Sequence, residues 1–278
     1  MKKNTDDISK EINNVIQTLM DRVMEKVLVT DPFISESHRA KKPLYAALVP
    51  DEIFKGSHFE RRFVTPFGGV WEKLAQVAGK AGLGLCELQK TISGNVPQER
   101  LVRIAEVLNK LEHAPKGEKK IKPDWENELK YILKGKGELI PTIVISDVYA
   151  ENTLTGEKYA FELKAPLPNS DQSKVSKEKI FKLYAMEPKV ITSAYFALPY
   201  NPYGRKENYA WSFPYRWFDM KKDEIVLIGD EFWDFIGGKG TYDSFIIKLN
   251  SLGKVYKERI LTEYLGIEPK NLDVEVLK

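Results

Sequence analysis

Two apolar runs that end in charge set the tightest constraint on this chain. Ile143-Val144-Ile145-Ser146-Asp147 closes on an aspartate, and Ala160-Phe161-Glu162-Leu163-Lys164-Ala165 carries a carboxylate and an ammonium two residues apart. Apolar, β-branched runs of this length read as strands, and residues at i and i+2 of a strand point to one face. Glu162 and Lys164 therefore project together. Asp147 meets them if the two runs pair as neighbouring strands, and Asn152-Thr153-Leu154-Thr155-Gly156 supplies hairpin turn chemistry between them. Two carboxylates and an ammonium converging at a sheet edge suit a hard divalent cation and a phosphate, the needs of a metal-dependent nuclease.

Strand context carries this signal, because the pattern of an acid, any residue, then lysine is common. It recurs at Glu118/Lys120, Glu128/Lys130, Glu187/Lys189, Asp219/Lys221 and Glu268/Lys270, each in a polar or helical stretch that reads as solvated charge. Glu162/Lys164 is instead bracketed by Phe161, Leu163 and Ala165, and burying such a pair is costly without partners or a metal. The alternative is a half-exposed strand with its polar face out. For a nuclease, Asp147 and Glu162 ligate Mg²⁺ with the backbone carbonyl of Leu163, while Lys164 positions or helps deprotonate the water and stabilises the charged transition state. Glu72, on the preceding helix, could act as an outer ligand, or could pair with Lys73 or Lys80 on the helix surface.

Composition leaves this reading open and closes several others. The chain has 278 residues, 42% hydrophobic and 30% charged, as expected for a globular protein with a full core. A net charge of +3 neither demands nor excludes nucleic acid, since a basic cleft can sit on a balanced surface. Cys86 is the one cysteine, which excludes internal disulfides and cysteine metal sites. No apolar run approaches the ~20 residues of a membrane span, and the N-terminal residues run into an amphipathic helix rather than a signal peptide. The expected location is the cytoplasm, without membrane association. Walker, GxGxxG, HExxH and paired CxxC motifs are absent, and a nucleophile elbow is missing. His38, His58 and His113 are scattered, which argues against histidine-based hydrolysis.

Periodicity predicts a helix over 6–28, with Ile12, Val15, Ile16, Leu19, Val23 and Val27 on one stripe. Pro32, Pro43, Pro50 and Pro66 should cut 30–69 into short pieces. Helices are expected from Gly69, from Pro97 and over Trp125–Leu133, then strands over Leu139–Asp147 and Lys158–Ala165. A helix over 174–187, strands over Val190–Leu198 and Ile225–Ile228, and a last helix over Leu252–Leu265 follow. A helix between the strands at 158–165 and 190–198 implies a parallel crossover. The expected architecture is one α/β domain over 1–278: a helical and irregular extension at 1–68, a catalytic core at 69–198, and DNA-reading loops and helices at 199–278.

Three segments could contact DNA. Pro166 to Lys177 combines Asn169, Asp171, Gln172, Lys174 and Lys177 ahead of a helix N-terminus, a natural phosphate site. A proline-stiffened loop with a helix cap explains the same residues. Pro199 to Trp211 interleaves aromatics with Asn201, Tyr203, Arg205, Lys206 and Asn208, as base reading or stacking requires. A tyrosine-rich loop packed on the core is the alternative. Arg61 and Arg62, ahead of Thr65-Pro66-Phe67-Gly68-Gly69, could grip the backbone.

Asp147, Glu162 and Lys164 on two adjacent strands, followed by a helix and a strand, resemble the PD-(D/E)xK nuclease superfamily. His58 to Ala75, Tyr159 to Pro166 with Asn169-Ser170-Asp171-Gln172, Ala197 to Gly204, and Ile228 to Asp234 resemble the TdeIII-like type II restriction endonucleases. The similarity spans about Lys42 to Gly266. It implies a restriction-endonuclease-like mixed sheet flanked by helices, and a Mg²⁺-dependent homodimer that cuts both strands of double-stranded DNA at a short palindrome, GGNCC. It further implies a cognate DNA methyltransferase as genetic partner. A two-fold axis in the protein can match one in the DNA. Ser146 stands where the motif name has proline, a position that is not a ligand. The rival readings are a structure-specific repair or recombination nuclease and a non-cleaving DNA-binding module on the same fold. Glycoside hydrolysis by paired carboxylates gives Lys164 no role.

Overall fold

The structure is a computed structural model and describes residues 5–113 and 121–268. Along the chain run α1 (Thr5–Glu25), α2 (Ser35–Lys41), α3 (Pro43–Ala46), α4 (Asp51–Gly82), β1 (Gly84–Pro97), α5 (Gln98–Glu112) and α6 (Trp125–Leu133). Then come β2 (Leu139–Asn152), β3 (Lys158–Leu163), α7 (Ser170–Ala185), β4 (Ser193–Leu198), β5 (Val226–Ile228), α8 (Asp230–Gly237) and α9 (Thr241–Arg259). Contacts group Ala75–Tyr242 into one compact unit, and the flanking residues up to Leu74 and from Asp243 into another. The sequence marks no such division, because no linker composition accompanies it.

The first unit is built on a five-stranded sheet in the order β1-β2-β3-β4-β5. β1/β2 and β2/β3 are antiparallel; β3/β4 and β4/β5 are parallel. Helix α7 is the crossover between β3 and β4, as its place between two strands requires. The resulting mixed α/β architecture is consistent with a restriction-endonuclease-like fold.

Strand β2 continues past Asp147 to Asn152, where the sequence suggested a connection. Val148 to Glu151 are paired on both sides, with Leu85–Leu88 of β1 and with Lys158–Phe161 of β3, and Val148 and Ala150 are buried. Strand β1 escapes sequence reading altogether. It holds Gly84 and Gly94 and lacks clean alternation, so its long pairing with β2, rather than propensity, makes it a strand. Its register skips Gln89, which has φ of +49° and lies across from Asp147.

Helices α5, α6 and α7 cover the sheet with Ile104, Val107, Leu108, Leu111, Trp125, Ile180, Phe181 and Leu183. Trp125 stacks on Phe181 and Phe196 on Phe218, with centroids 5.0 and 4.6 Å apart. Each fully buried phenylalanine among them, Phe181, Phe196 and Phe218, contributes roughly 1.5–3 kcal/mol of transfer free energy.

The second unit is helical. The α1 stripe buries Ile12, Ile16, Leu19, Val23 and, in the π-turn that follows, Val27. Helix α4 runs for 32 residues straight through Pro66, contrary to the expected break. Phe59, Phe63, Phe67 and Trp71 form an i,i+4 ladder along it, with successive centroids 6.1, 5.1 and 5.0 Å apart. Three aromatic contacts at about 0.5–1.5 kcal/mol each offset the ~3 kcal/mol cost of an interior proline.

Candidate active site

The strands that carry Asp147 and Glu162 are neighbours. Val148 faces Phe161, and one step along the same register brings Asp147 opposite Glu162. The Leu163 amide donates to Asp147 Oδ2 at 3.1 Å. Lys164 Nζ donates to the same oxygen at 2.5 Å and lies 3.4 Å from Glu162 Oε2. The Lys164 amide donates to the Ala197 carbonyl of β4, which fixes the lysine's backbone at the end of β3. Asp147 is 8% exposed and Glu162 2%. Ser146 is buried, and its hydroxyl donates to the Val148 and Phe161 carbonyls at 2.8 and 3.3 Å, a β2–β3 tie that a proline could not make.

Lys179 of α7 belongs to this cluster, and the sequence reading missed it. Its Nζ lies 3.0 Å from each carboxylate oxygen of Glu162, 3.9 Å from Asp147 Oδ1 and 2.8 Å from the Ile145 carbonyl. Buried Ser176 and Leu183 stand three before and four after it, so Lys179 occupies the inward ridge of the helix. A charged residue on the apolar stripe of a crossover helix was the available signal.

The charges perturb one another. Burial, then the neighbouring Asp147 carboxylate, pushes the Glu162 carboxyl up to about 7. Burial alone would depress the Lys164 ammonium, but Glu162 and Asp147 outweigh it and hold that lysine above its ordinary range, so it keeps its proton. Among the described residues no group of three or more His, Cys, Asp or Glu side chains comes together. The protein thus offers two carboxylates and backbone oxygens rather than a closed cage. This all-oxygen, partly open donor set fits Mg²⁺, which retains several waters, and Lys179 already places positive charge against both carboxylates.

The other expected site residues separate into structural and exposed groups. Lys177 is corrected: it is fully buried, pairs with Glu128 at 2.5 Å and donates to the Trp217 carbonyl, so it cannot reach a phosphate. Glu128, read as a solvated charge, is its partner. Asn169 caps α7 by accepting from the Gln172 amide, and Gln172 returns the bond to the Asn169 amide, a reciprocal capping box. Lys174 pairs with Glu112 at 2.5 Å. Asn201 is held by the Tyr203 amide and the Arg205 carbonyl, and Lys206 by Glu231 and the Val226 carbonyl. Asp171, Tyr203, Arg205 and Asn208 are exposed. In the helical unit Arg61 is exposed, whereas Arg62 binds Asp31 at 2.8 and 2.5 Å and the His58 carbonyl at 3.2 Å. Glu72 lies half-buried on α4, the helix on which the sequence placed it.

Several aromatics of the 199–217 segment are fasteners. Tyr209 donates to the Pro166 carbonyl, Trp211 to the Pro168 carbonyl and Trp217 to the Ser170 hydroxyl, at 2.8, 2.8 and 3.0 Å. They pin the connection from Lys164 to α7, and hence the spacing between the residues on β3 and Lys179.

The site is thus a mixed sheet with an acidic pair on adjacent strands, faced by Lys164 at the end of β3 and Lys179 of α7. The family model of HinfI, a type II restriction endonuclease, matches residues 8–253. The chain belongs to that family and is a type II restriction enzyme, a site-specific deoxyribonuclease of a restriction–modification system. It is 26% identical over 235 residues to the type II restriction enzyme HgiCII of Herpetosiphon aurantiacus, covering 83% of this chain and 82% of that protein. It is 25% identical over 229 residues to HgiBI, and equally to HgiEI, of the same organism, covering 81% of each chain. Among the described residues no helix is long and apolar enough to cross a membrane.

Proposed function

We propose that this enzyme hydrolyses both strands of double-stranded DNA at a short palindrome, GGNCC, as a Mg²⁺-dependent homodimer of the TdeIII-like kind on a PD-(D/E)xK core. Family membership supports restriction cleavage of double-stranded DNA, and type II restriction enzymes generally use divalent metal ions. The observation that carries the residue assignment is the convergence of Asp147, Glu162 and Lys164 within 3.4 Å contacts at the β2/β3 edge.

In this reading Asp147, Glu162 and the Leu163 carbonyl would hold the cation, which would supply positive charge for the scissile phosphate. Lys164 orients the attacking water and neutralises charge building on the phosphate; because it keeps its proton, it acts as a donor and not as the base. The Leu163 amide and Ser146 hold the β2 and β3 backbones in register beneath the reacting atoms. Arg61, Asp171, Tyr203, Arg205 and Asn208, all exposed, are the foremost candidate DNA contacts.

Incubation with unmethylated phage DNA and Mg²⁺, followed by mapping of the fragment ends, tests this reading. Discrete fragments ending at one palindrome support it. Smeared or absent cleavage sinks it and favours a structure-specific nuclease or a non-cleaving module.

A further inference from the structure

Four oxygens surround the Lys179 ammonium: both from Glu162 at 3.0 Å, Asp147 Oδ1 at 3.9 Å and the Ile145 carbonyl at 2.8 Å. Lys164 takes a different side of the same pair, with its shortest contact to Asp147 Oδ2. The two lysines thus divide the acidic pair, and Lys179 holds the side on which Asp147 Oδ1 and Glu162 Oε1 are found. It arrives from α7, across the sheet, on a flexible four-carbon stem that remains partly exposed.

We infer that Lys179 is the resident counter-ion of Asp147 and Glu162 and competes with the divalent cation for their oxygens, so that loading the cation requires Lys179 to withdraw. The inference rests on the nuclease reading of the site. A unit charge and a divalent ion cannot share oxygens at these separations without strong repulsion. A buried acidic pair without a cation, in turn, needs a counter-charge to remain folded. Lys179 provides that charge reversibly, which makes it a positioning residue for cation loading. Its withdrawal frees a positive charge beside the place a DNA phosphate would take.

Binding of Mn²⁺ alone to the full-length protein, followed by electron paramagnetic resonance of the free ion without DNA, tests this. Lys179→Met should bind Mn²⁺ on the order of tenfold more tightly than wild type, since a competing charge is removed. Lys179→Gln should tighten binding in the same direction, while Lys179→Arg, which keeps the charge, should stay near wild type. A merely structural lysine would give weaker or unchanged binding in both neutral variants. That result, with circular dichroism showing an intact fold, overturns the inference and leaves the nuclease reading standing. If Asp147→Asn and Glu162→Gln each leave wild-type Mn²⁺ binding unaltered, the site assignment falls and the inference with it.

Discussion

Lys164 reaches from the end of β3 to Asp147 on β2, with Nζ 2.5 Å from Oδ2, and the Leu163 amide donates to the same oxygen at 3.1 Å. One carboxylate oxygen is thereby fixed by a backbone group and a charge, while the other lies toward Lys179. The two oxygens of this aspartate therefore face different partners.

Replacing Lys164 with alanine should lower single-turnover cleavage of plasmid DNA by at least about 10²–10³-fold, the usual cost of one transition-state donor. DNA affinity in Ca²⁺ should change little, because phosphate contacts elsewhere dominate binding. Cleavage at the wild-type rate would show that the charge stabiliser is another residue.

Glu162 gives the metal-free protein a pH dependence. Its folded pKa of about 7 lies above the ordinary carboxyl value, so between those two pH values the folded state holds the extra proton. Stability from this group is present at low pH and declines as pH rises through about 7. Glu162→Gln should therefore gain on wild type as pH is raised from about 5 to 8, by up to about 3 kcal/mol. Thermal melts across that range, in chelator, measure the difference. A constant gap between the two proteins would contradict it.

Lys177 should behave as a core residue. Lys177→Ala leaves Glu128 without its partner and should cost about 3–5 kcal/mol in urea unfolding, while the folded fraction binds DNA as wild type does. A large loss of DNA affinity with little loss of stability would restore it to the phosphate-contact list.

Tyr209→Phe removes the donor to the Pro166 carbonyl without changing ring packing. Both groups are buried, so the expected cost is about 1–3 kcal/mol, read by denaturant titration. Cleavage should fall by more than the loss of folded protein explains, because the loop sets the distance from Lys164 to α7.

What sequence revealed here was whatever depended on local periodicity or on charge within an apolar strand. Asp147, Glu162 and Lys164 were visible because charge at the end of Ile143–Ile145 and between Phe161, Leu163 and Ala165 is anomalous without a purpose. Lys179 was hidden by its neighbours: in Lys177-Glu178-Lys179 it looks like another solvated charge, although its helical phase with Ser176 and Leu183 turns it inward. Lys177 was misjudged because its partner Glu128 is distant in sequence, and the pairing of Lys174 with Glu112 was invisible for the same reason. Strand β1 has no pattern of its own and exists through β2. Helix α4 defied its proline because the ladder from Phe59 to Trp71 is a property of side chains four apart, which composition-based punctuation ignores.

The reciprocal cap at Asn169 and Gln172 has a consequence for how this protein can vary. It fixes where α7 begins, and the helix then converts residue count into angle, at about 100° per residue. One residue inserted between Asn169 and Lys179 would swing that ammonium away from Glu162 by about that angle, whatever the inserted residue was. Within this stretch a point substitution on the outer face is a mild event and a change of length is a severe one. Natural relatives and engineered variants should accordingly differ there in identity and agree in number.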